Sequence, residues 1–493
     1  MATKQRWPSH MIFLLASIGF AAGLGNLWRF PMLAYRYGGG AFILALIICN
    51  IVVIYPLMLF EMGIGQKYRA GAPMSIERFR KGMAWSQWIP ILAQVFILMY
   101  YMLVFGWSLV YLVESLRGEF LKQPSTYFTD SILQQSANIS QPDGIRWVLL
   151  AGLFAGYLLV YICMRGGLRS ISKVVRYTAT APFLLLFILL IRGVTLPGAG
   201  VGLSALLIPD GSALLDLSLW REALGQSFFS SGLAFGYYTM AAGYREDRAE
   251  IPRAGLVILV GNLAVSLLAG AVVFSTLGFM AHQQGVPLAE VTQGGPMLVF
   301  SAFPTAIAEM PFFAQGFAFI FFLMVVSLAI DSIFGAIKCV TAAFADLWGG
   351  ALSEHRLTVI ILVIAFLGGI PLTTGAGSYY LDVMDHYLGG YLFMLVGAIE
   401  AVIAAWIVGT PRVRAMINEC SGKIRIGRWY DWVMRVIPLL VGGLFLYAIS
   451  GEFQQLYGGY PLWTHLVFGA LPLLVVIVMS IWLGKRIGQI NKS

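Results

Sequence analysis

The sequence is dominated by apolar segments long enough to cross a membrane, which recur from residue 11 almost to its end. A helix of about 20 apolar residues spans the hydrocarbon core of a bilayer. The mean hydropathy is +0.81, and only 11% of the residues are charged. Such a chain of 493 residues carries too little polar surface to enclose a soluble core. We therefore expect an all-α integral membrane protein of about 12 transmembrane helices that contacts lipid over much of its surface.

The breaks between apolar segments predict the positions of these helices. No sizeable soluble domain fits between the spans, and the first is too long and too rich in Gly for the apolar part of a cleaved signal peptide. The predicted spans are residues 11–36, 41–66, 87–116, 146–164, 174–192, 221–244, 254–281, 312–347, 356–374, 387–408, 430–450 and 463–484.

Basic residues alternate with the spans, so the net charge of +9 indicates topology and not a nucleic-acid-binding surface. Because Lys and Arg collect on the cytoplasmic side, we expect both termini to be cytoplasmic and the protein to lie in the plasma (inner) membrane. The basic clusters are Lys4 with Arg6, and residues 67–81, 165–176, 245–253 and 412–428. The four cysteines lie outside the predicted outer loops, so we predict no disulfide.

Glycine-rich stretches interrupt two of the spans near their middle. They are residues 19–25 in the first span and 230–236 in the sixth. A lone Gly in a membrane helix usually serves close packing, but these stretches hold the same place in two consecutive five-helix halves of opposite topology. We therefore predict one inverted repeat over 1–193, a second over 194–409, and two additional helices within 410–493.

Broken helices at mid-membrane depth have a chemical consequence. Irregular backbone is tolerated there only where it lines a cavity. An unwound segment frees carbonyl oxygens for cations and exposes the N–H groups of a half-helix to a carboxylate. The sequence therefore predicts a midplane site for cations and an anionic group.

Five motifs, in order along nearly the whole chain, resemble the neurotransmitter:sodium symporters. The resemblance implies the LeuT-like 5+5 inverted repeat with broken first and sixth helices, and sodium-coupled transport by alternating access. The motifs are Gly-Leu-Gly-Asn-Leu-Trp-Arg-Phe-Pro at 23–31, Gly-Gly-Gly-Ala-Phe at 38–42, Pro-Leu-Met-Leu-Phe-Glu-Met-Gly-Ile-Gly-Gln at 56–66, Gly-Gln-Ser-Phe-Phe at 225–229 and Gly-Pro-Met-Leu-Val-Phe-Ser-Ala-Phe-Pro at 295–304.

The resemblance implies two Na+ sites built from oxygen ligands, which suit a hard cation. The first site takes Ala21, Asn26, Ser230, Asn262 and the carboxylate of the substrate. The second takes Gly19, Ala22, Leu328, Asp331 and Ser332. Taken alone, the two Asn residues could equally join helices, and Asp331 could belong to a buried ion pair.

The resemblance also implies a substrate site. The amides of Leu24 and Gly25 and the hydroxyl of Tyr101 hold a carboxylate. The side-chain pocket comprises Ala22, Ile97, Phe229, Ser231, Gly232, Phe235, Ser332 and Ala336. Amine-transporting relatives carry Asp where this chain has Gly23, so we expect an amino acid. The small residues at 232 and 336 favour a medium to bulky apolar side chain.

The resemblance does not decide whether the protein binds chloride. The polar residues that chloride-dependent relatives use are found as Gln226, Ser230, Asn262 and Ser266, whereas Leu46 replaces their Tyr. Chloride-independent bacterial members carry an acid where this chain has Ser266. The two i, i+4 pairs could bind one anion or form hydrogen bonds between helices.

The gates implied by the resemblance close the site from both sides. An ion pair between Arg29 and Asp385 is expected outside the site, with Asp382 as a substitute partner, and Tyr101 with Phe235 forms an aromatic lid. The cytoplasmic closure is assigned to Lys4, Trp7, Tyr244 and Asp346. Glu61 is expected to bond the freed backbone of the sixth helix, and Glu400 receives no role.

These observations predict sodium-coupled symport of a neutral amino acid by a monomer or weak homo-oligomer, with chloride as a candidate co-ion. One alternative is a proton-coupled transporter of the same fold, with Asp331 or Glu61 as the proton carrier. Another is a transporter of a different small carboxylate-bearing amine. A membrane enzyme is disfavoured, because the five His residues are scattered and the sequence contains no evident nucleophile–base pair.

Overall fold

A computed structural model describes residues 6–452 and 456–490. In this part of the chain the regular structure is helical, with two isolated β-bridges and no strand. Ten helices are long and apolar enough to cross a membrane, and a pair bent by 60° adds an eleventh. The predicted sixth span is helical in two shorter pieces. The all-α membrane fold with about 12 spans is therefore confirmed.

The twelve segments are named α1 to α12 in chain order. Their bounds are α1 His10–Ala21 with Leu24–Arg36, α2 Gly40–Tyr68, α3 Ala84–Arg117, α4 Trp147–Met164, α5 Gly167–Val194, α6 Leu217–Ser231 with Tyr237–Gly243, α7 Ile251–Gln284, α8 Ala314–Leu347, α9 Glu354–Thr373, α10 Gly377–Cys420, α11 Trp429–Glu452 and α12 Leu462–Ile490. α10 extends well beyond the predicted 387–408 at both ends, because its polar ends stay helical outside the apolar stretch that hydropathy detects.

The break in α1 lies at Ala22 and Gly23, as predicted. Gly23 is extended, with φ −97° and ψ −168°, and the second half of the helix begins at Leu24. A side chain at Gly25 would collide with the ring of Phe229 on α6. Glycine at this position therefore allows the two broken helices to approach each other closely.

The break in α6 covers residues 232–236 and depends on left-handed backbone. Gly232 and Gly236 have φ values of 64° and 71°, which glycine adopts without strain. Ala234 between them also has φ 64°, a conformation that L-residues other than glycine rarely adopt. The surrounding structure must therefore stabilise this segment.

Helices α3 and α8 form the centre of the bundle and pack along each other. In each of them, 67% of the most apolar 18-residue stretch is buried inside the protein. The corresponding share is 28% in α5 and α12, so these two helices lie at the lipid-facing periphery. The first half of α1 contacts α5, α7 and α8, and the second half of α6 packs on α2. Both breaks thus lie beside the buried central helices.

Candidate transport site

A cavity of about 70 Å³ lies between the two breaks. It brings together residues of α1, α3, α6 and α8 that the family resemblance had selected. These are Leu24, Gly25, Ile97, Tyr101, Phe229, Gly232, Phe235, Ser332 and Ala336. Ala22 and Ser231 were also predicted to contact the substrate, but they do not line this cavity. The lining contains further residues that sequence reasoning missed, namely Phe20, Gln94, Leu98, Tyr100, Ile333 and Phe393.

The polar end of the cavity is formed by the start of the second half of α1. The Leu24 N–H donates to the Tyr101 hydroxyl at 3.4 Å. A Cβ atom added to Gly23 would lie 2.9 Å from Ser332 Oγ and 3.2 Å from Tyr101 Oη. The absence of a side chain at Gly23 therefore keeps these N–H and hydroxyl groups accessible from the cavity.

The apolar end is formed by aromatic rings. Phe235 stacks on Phe393 with ring centroids 3.5 Å apart, and its edge-to-face distance to Phe20 is 5.9 Å. A Cβ atom at Gly232 would collide with Phe20, as would one at Gly335. Phe20 therefore occupies the space beside Gly232, and the expected medium to bulky apolar substrate stays a prediction.

The three side chains of the first predicted sodium group form one hydrogen-bonded cluster with Ser266, whereas the Ala21 carbonyl accepts from the Gly23 N–H at 2.9 Å. Asn26 Nδ2 donates to Asn262 Oδ1 at 2.8 Å and to Ser266 Oγ at 2.9 Å. Asn262 Nδ2 donates to Ser230 Oγ at 3.3 Å. The buried Oδ1 of Asn26 receives no hydrogen bond. Because Asn26 and Ser230 also line the cavity, the cluster fits a cation that shares a ligand with the substrate.

Three of the four predicted chloride residues, Ser230, Asn262 and Ser266, belong to the same cluster. Gln226 Nε2 donates to the Gly25 carbonyl at 3.4 Å, and Gln226 Oε1 has no donor. The Ser266 hydroxyl donates to the Asn262 carbonyl at 3.2 Å. Leu46 is fully buried where the chloride-dependent relatives carry Tyr. Gln226 lies one helical turn before Ser230 on α6, and the chloride assignment stays a prediction.

The second predicted sodium group is centred on Asp331, which is 3% exposed. Its Oδ1 accepts a hydrogen bond from the hydroxyl of Thr178 on α5 at 2.6 Å. Its Oδ2 is buried without a donor and lies directly against Gly19, where a Cβ atom would collide with it. Ser332 Oγ donates to the Phe20 carbonyl at 2.9 Å. This free carboxylate oxygen beside the α1 break fits a cation.

Thr178 was missed in the sequence analysis. It lies in none of the motifs that carry the resemblance, and 153 residues separate it from Asp331. Thr178 ends the first regular part of α5, which resumes at Ala181. A Thr at such a position does not by itself indicate a functional site. Only the packing of α5 against α8 identifies it.

A second cavity, of about 520 Å³, lies on the side of the site predicted to face outward and shares Tyr101 and Phe229 with it. Arg29 lies 3.9 Å from Glu222 and over the Phe229 ring at 5.2 Å. Asp385 instead accepts from the Tyr100 hydroxyl at 2.9 Å. The expected Arg29–Asp385 ion pair is not formed in this conformation, because Glu222 on α6 is the nearer acid to Arg29.

The substitute partner considered for Arg29 is also engaged elsewhere. Asp382 accepts hydrogen bonds from the hydroxyls of Tyr457 and Tyr460 at 3.0 and 2.9 Å. These tyrosines lie between α11 and α12, so Asp382 connects the N-terminal end of α10 to the segment that joins the last two helices.

The side predicted to face the cytoplasm is closed by contacts between the segment before α1 and the end of α6. The Trp7 backbone N–H donates to the Tyr244 carbonyl at 3.0 Å, and its indole N–H donates to the Ala241 carbonyl at 2.9 Å. Asp346 accepts from the Gly71 N–H at 2.6 Å. Lys4, the fourth residue of the predicted closure, lies outside the described residues. Arg6, its neighbour in the sequence, lies 3.6 Å from Asp247.

Known proteins match this chain over almost its whole length. A profile of the Sodium:neurotransmitter symporter family matches residues 4–123 and 118–489. An uncharacterized sodium-dependent transporter of Methanocaldococcus jannaschii is 32% identical over 484 residues, covering 98% of both chains. The chain belongs to the sodium:neurotransmitter symporter family.

Animal members of the family are nearly as similar. The sodium- and chloride-dependent GABA transporter 2 of Homo sapiens is 31% identical, with 99% of this chain and 87% of that protein covered. The sodium- and chloride-dependent taurine transporter of Bos taurus is 30% identical, with 99% and 85% covered. The match confirms that this multi-pass membrane protein is a sodium-dependent symporter and not an enzyme.

Several finer assignments stay predictions. These are the repeat boundaries at 193 and 409, the two separate Na+ sites, the chloride site and the cytoplasmic termini. One structural contact implied by the family does occur, since Glu61 Oε1 accepts from the freed Ala234 N–H at 2.8 Å.

Proposed function

We propose that this family member couples the inward movement of Na+ to the uptake of a neutral amino acid by alternating access. The observation that carries the proposal is that Asn26 and Ser230 belong both to the cavity lining and to the cluster around Asn262. A substrate carboxylate at the Leu24 and Gly25 amides would thus lie beside the first Na+. Shared contact of this kind makes binding of ion and substrate mutually dependent.

The chemistry of the cavity supports an amino acid as the substrate. One end offers backbone N–H groups and the Tyr101 hydroxyl, and the other end is lined by Phe235, Phe393 and Ala336. An amino group between these ends would meet backbone carbonyls of the two unwound segments. No carboxylate side chain is among the residues lining this cavity in the described part of the chain, so the carboxylate is supplied by the substrate.

A second candidate is a small amine that carries its acid group farther from the nitrogen. The animal relatives are named GABA and taurine transporters, and their names also include chloride. We propose two Na+ per cycle, with chloride as a candidate co-ion. The plasma (inner) membrane and cytoplasmic termini are part of the same proposal.

The test is uptake into proteoliposomes of a panel of labelled substrates, from glycine and alanine to leucine, phenylalanine and tryptophan, together with GABA and taurine. Uptake is measured with an inward Na+ gradient, with K+ in place of Na+, and with gluconate in place of chloride. We expect accumulation of one or a few neutral amino acids only with Na+. Equal uptake without Na+ would refute the coupling, and accumulation of GABA or taurine alone would favour the second candidate.

A further inference from the structure

Two buried carboxyl groups lie apart from both predicted sodium groups. Glu61 on α2 is 1% exposed and Glu400 on α10 is fully buried. Their carboxyl groups are in hydrogen-bond contact with each other. The two residues are separated by most of the chain, so this contact is a product of the fold.

Each carboxyl group has one oxygen bonded to a further donor. Glu61 Oε1 accepts from the Ala234 N–H at 2.8 Å, and Glu400 Oε1 accepts from Gln87 Nε2 at 2.7 Å. The other oxygen of each group is buried and receives no donor from the rest of the protein. Across the described residues, neither acid forms an ion pair with Lys, Arg or His. The neighbouring titratable groups are Tyr238 on α6 and Cys339 on α8.

Elementary electrostatics determines how many protons this arrangement holds. Two ionised carboxylates in contact repel, and burial makes each charge costly. An ionised carboxylate only accepts hydrogen bonds, so a hydrogen bond between two acids needs a proton on one of them. One proton satisfies the two remaining oxygens together.

We propose that Glu61 and Glu400 form a proton-binding site that holds one shared proton. The proton clamps the unwound segment of α6 to α2, α10 and α3. The chain of contacts runs from the Ala234 N–H through Glu61, the proton and Glu400 to the Gln87 side chain. The site is independent of which solute the transporter carries.

The segment that this contact chain holds, residues 232–236 of α6, has an unfavourable backbone conformation that other parts of the protein must stabilise. Ala234 is held in left-handed backbone with φ 64°. On its two sides, Gly232 and Phe235 line the transport cavity, and Gln94 Nε2 donates to the Phe235 carbonyl at 2.7 Å. Loss of the proton would leave two carboxylates in contact and separate α10 from α2 and α6. The bound proton therefore stabilises the shape of the cavity in this conformation.

The direct test is infrared spectroscopy of the purified transporter with saturating Na+, which detects the carbonyl stretch of a protonated carboxyl group. We expect a band that Glu61→Gln and Glu400→Gln each shift or remove and that the double variant abolishes. Glu77→Gln is a matched control, because Glu77 is also buried but accepts backbone N–H bonds from Gly82 and Ala84. Asp331→Asn shows whether any part of the band comes from Asp331, the buried acid of the second predicted sodium group.

The outcomes decide the proposal in either direction. A band that survives the double substitution, or no band in the unaltered protein, would refute the site. A band that responds to only one of the two single substitutions would refute sharing.

Hydrogen exchange tests the clamp separately. Glu400→Leu removes the partner of Glu61, and we expect amide exchange in residues 232–236 to accelerate roughly tenfold, as for loss of one hydrogen bond to a charged group. Glu400→Gln keeps a donor towards Glu61 and should exchange like the unaltered protein. Equal exchange in both variants would refute the clamp.

Discussion

The two predicted sodium groups differ in charge although both lie beside the same break in α1. The first is built from neutral amides and hydroxyls, with Asn26 at its centre. The second contains the carboxylate of Asp331. Each group has one buried side-chain oxygen without a donor. A neutral group needs a negative charge from the substrate, whereas a group with its own carboxylate does not, so substrate and ion should be coupled mainly through the first group.

The largest expected effect comes from the charged group. Asp331→Asn should weaken Na+ binding roughly 10- to 100-fold, because contacts to an ionised group contribute about 1.5–3 kcal/mol. Binding of labelled Na+ to purified protein measures this directly. Asp210→Asn, which removes an exposed carboxylate outside the spans, is the control. Unchanged Na+ affinity in Asp331→Asn would exclude this carboxylate as a ligand.

The neutral group should respond in a different way. Asn26→Ala is expected to weaken Na+ and substrate binding together by roughly tenfold, since a buried polar partner is worth about 1–3 kcal/mol. The coupling, measured as the change in substrate affinity on adding Na+, should fall in Asn26→Ala and persist in Asp331→Asn. Equal loss of coupling in both variants would contradict the view that substrate and Na+ are coupled mainly through the first group.

A smaller effect is expected at the substrate side of the first group. The Cβ atom of Gly23→Ala would crowd Ser332 Oγ and Tyr101 Oη, so that the two hydroxyls must shift by a few tenths of an ångström. We expect substrate affinity to fall by roughly three- to tenfold, a cost of about 1 kcal/mol. Na+ binding in the absence of substrate should fall by less, because Ser332 is the one predicted Na+ side-chain ligand that the new Cβ atom crowds. Equilibrium binding with and without substrate makes the comparison. Weakened Na+ binding alone would contradict it.

The smallest effect concerns the residue that orients Asp331. Thr178→Val removes the hydroxyl that donates to Oδ1 while keeping nearly the same shape. Na+ affinity should fall by about two- to fivefold, as for loss of one hydrogen bond worth about 0.5–1 kcal/mol. Thr178→Ser retains the donor and should restore the affinity. If Val and Ser variants behave alike, Thr178 serves packing only.

The sequence predicted the parts of the site that are local in the chain. The breaks at Gly23 and around Gly232 follow from glycine-rich stretches inside apolar spans. Asn26 and Asn262 were selected by motif position, and the structure brings their amides to 2.8 Å. Phe20 was not selected, because a Phe in an apolar helix gives no signal of its own. Its role in filling the space beside Gly232 depends on where α6 lies.

Pairing of charged groups was the least predictable feature. Arg29 was expected to pair with Asp385, yet Glu222 is its neighbour in the structure. Glu400 had no role by sequence, yet it contacts Glu61 and Gln87. Both results depend on distances between helices far apart in the chain, and a helix rotated by one residue presents a different acid.

The sequence by itself determined that the chain spans a membrane, where its helices break, and that it belongs to a family of sodium-dependent symporters. Apolar length, glycine content and motif order are properties of short stretches, so they can be read without a fold. Only the tertiary structure decided which buried polar atoms meet. In an interior without water a buried polar group needs a partner, and where that partner lies on another helix, packing decides which one it is.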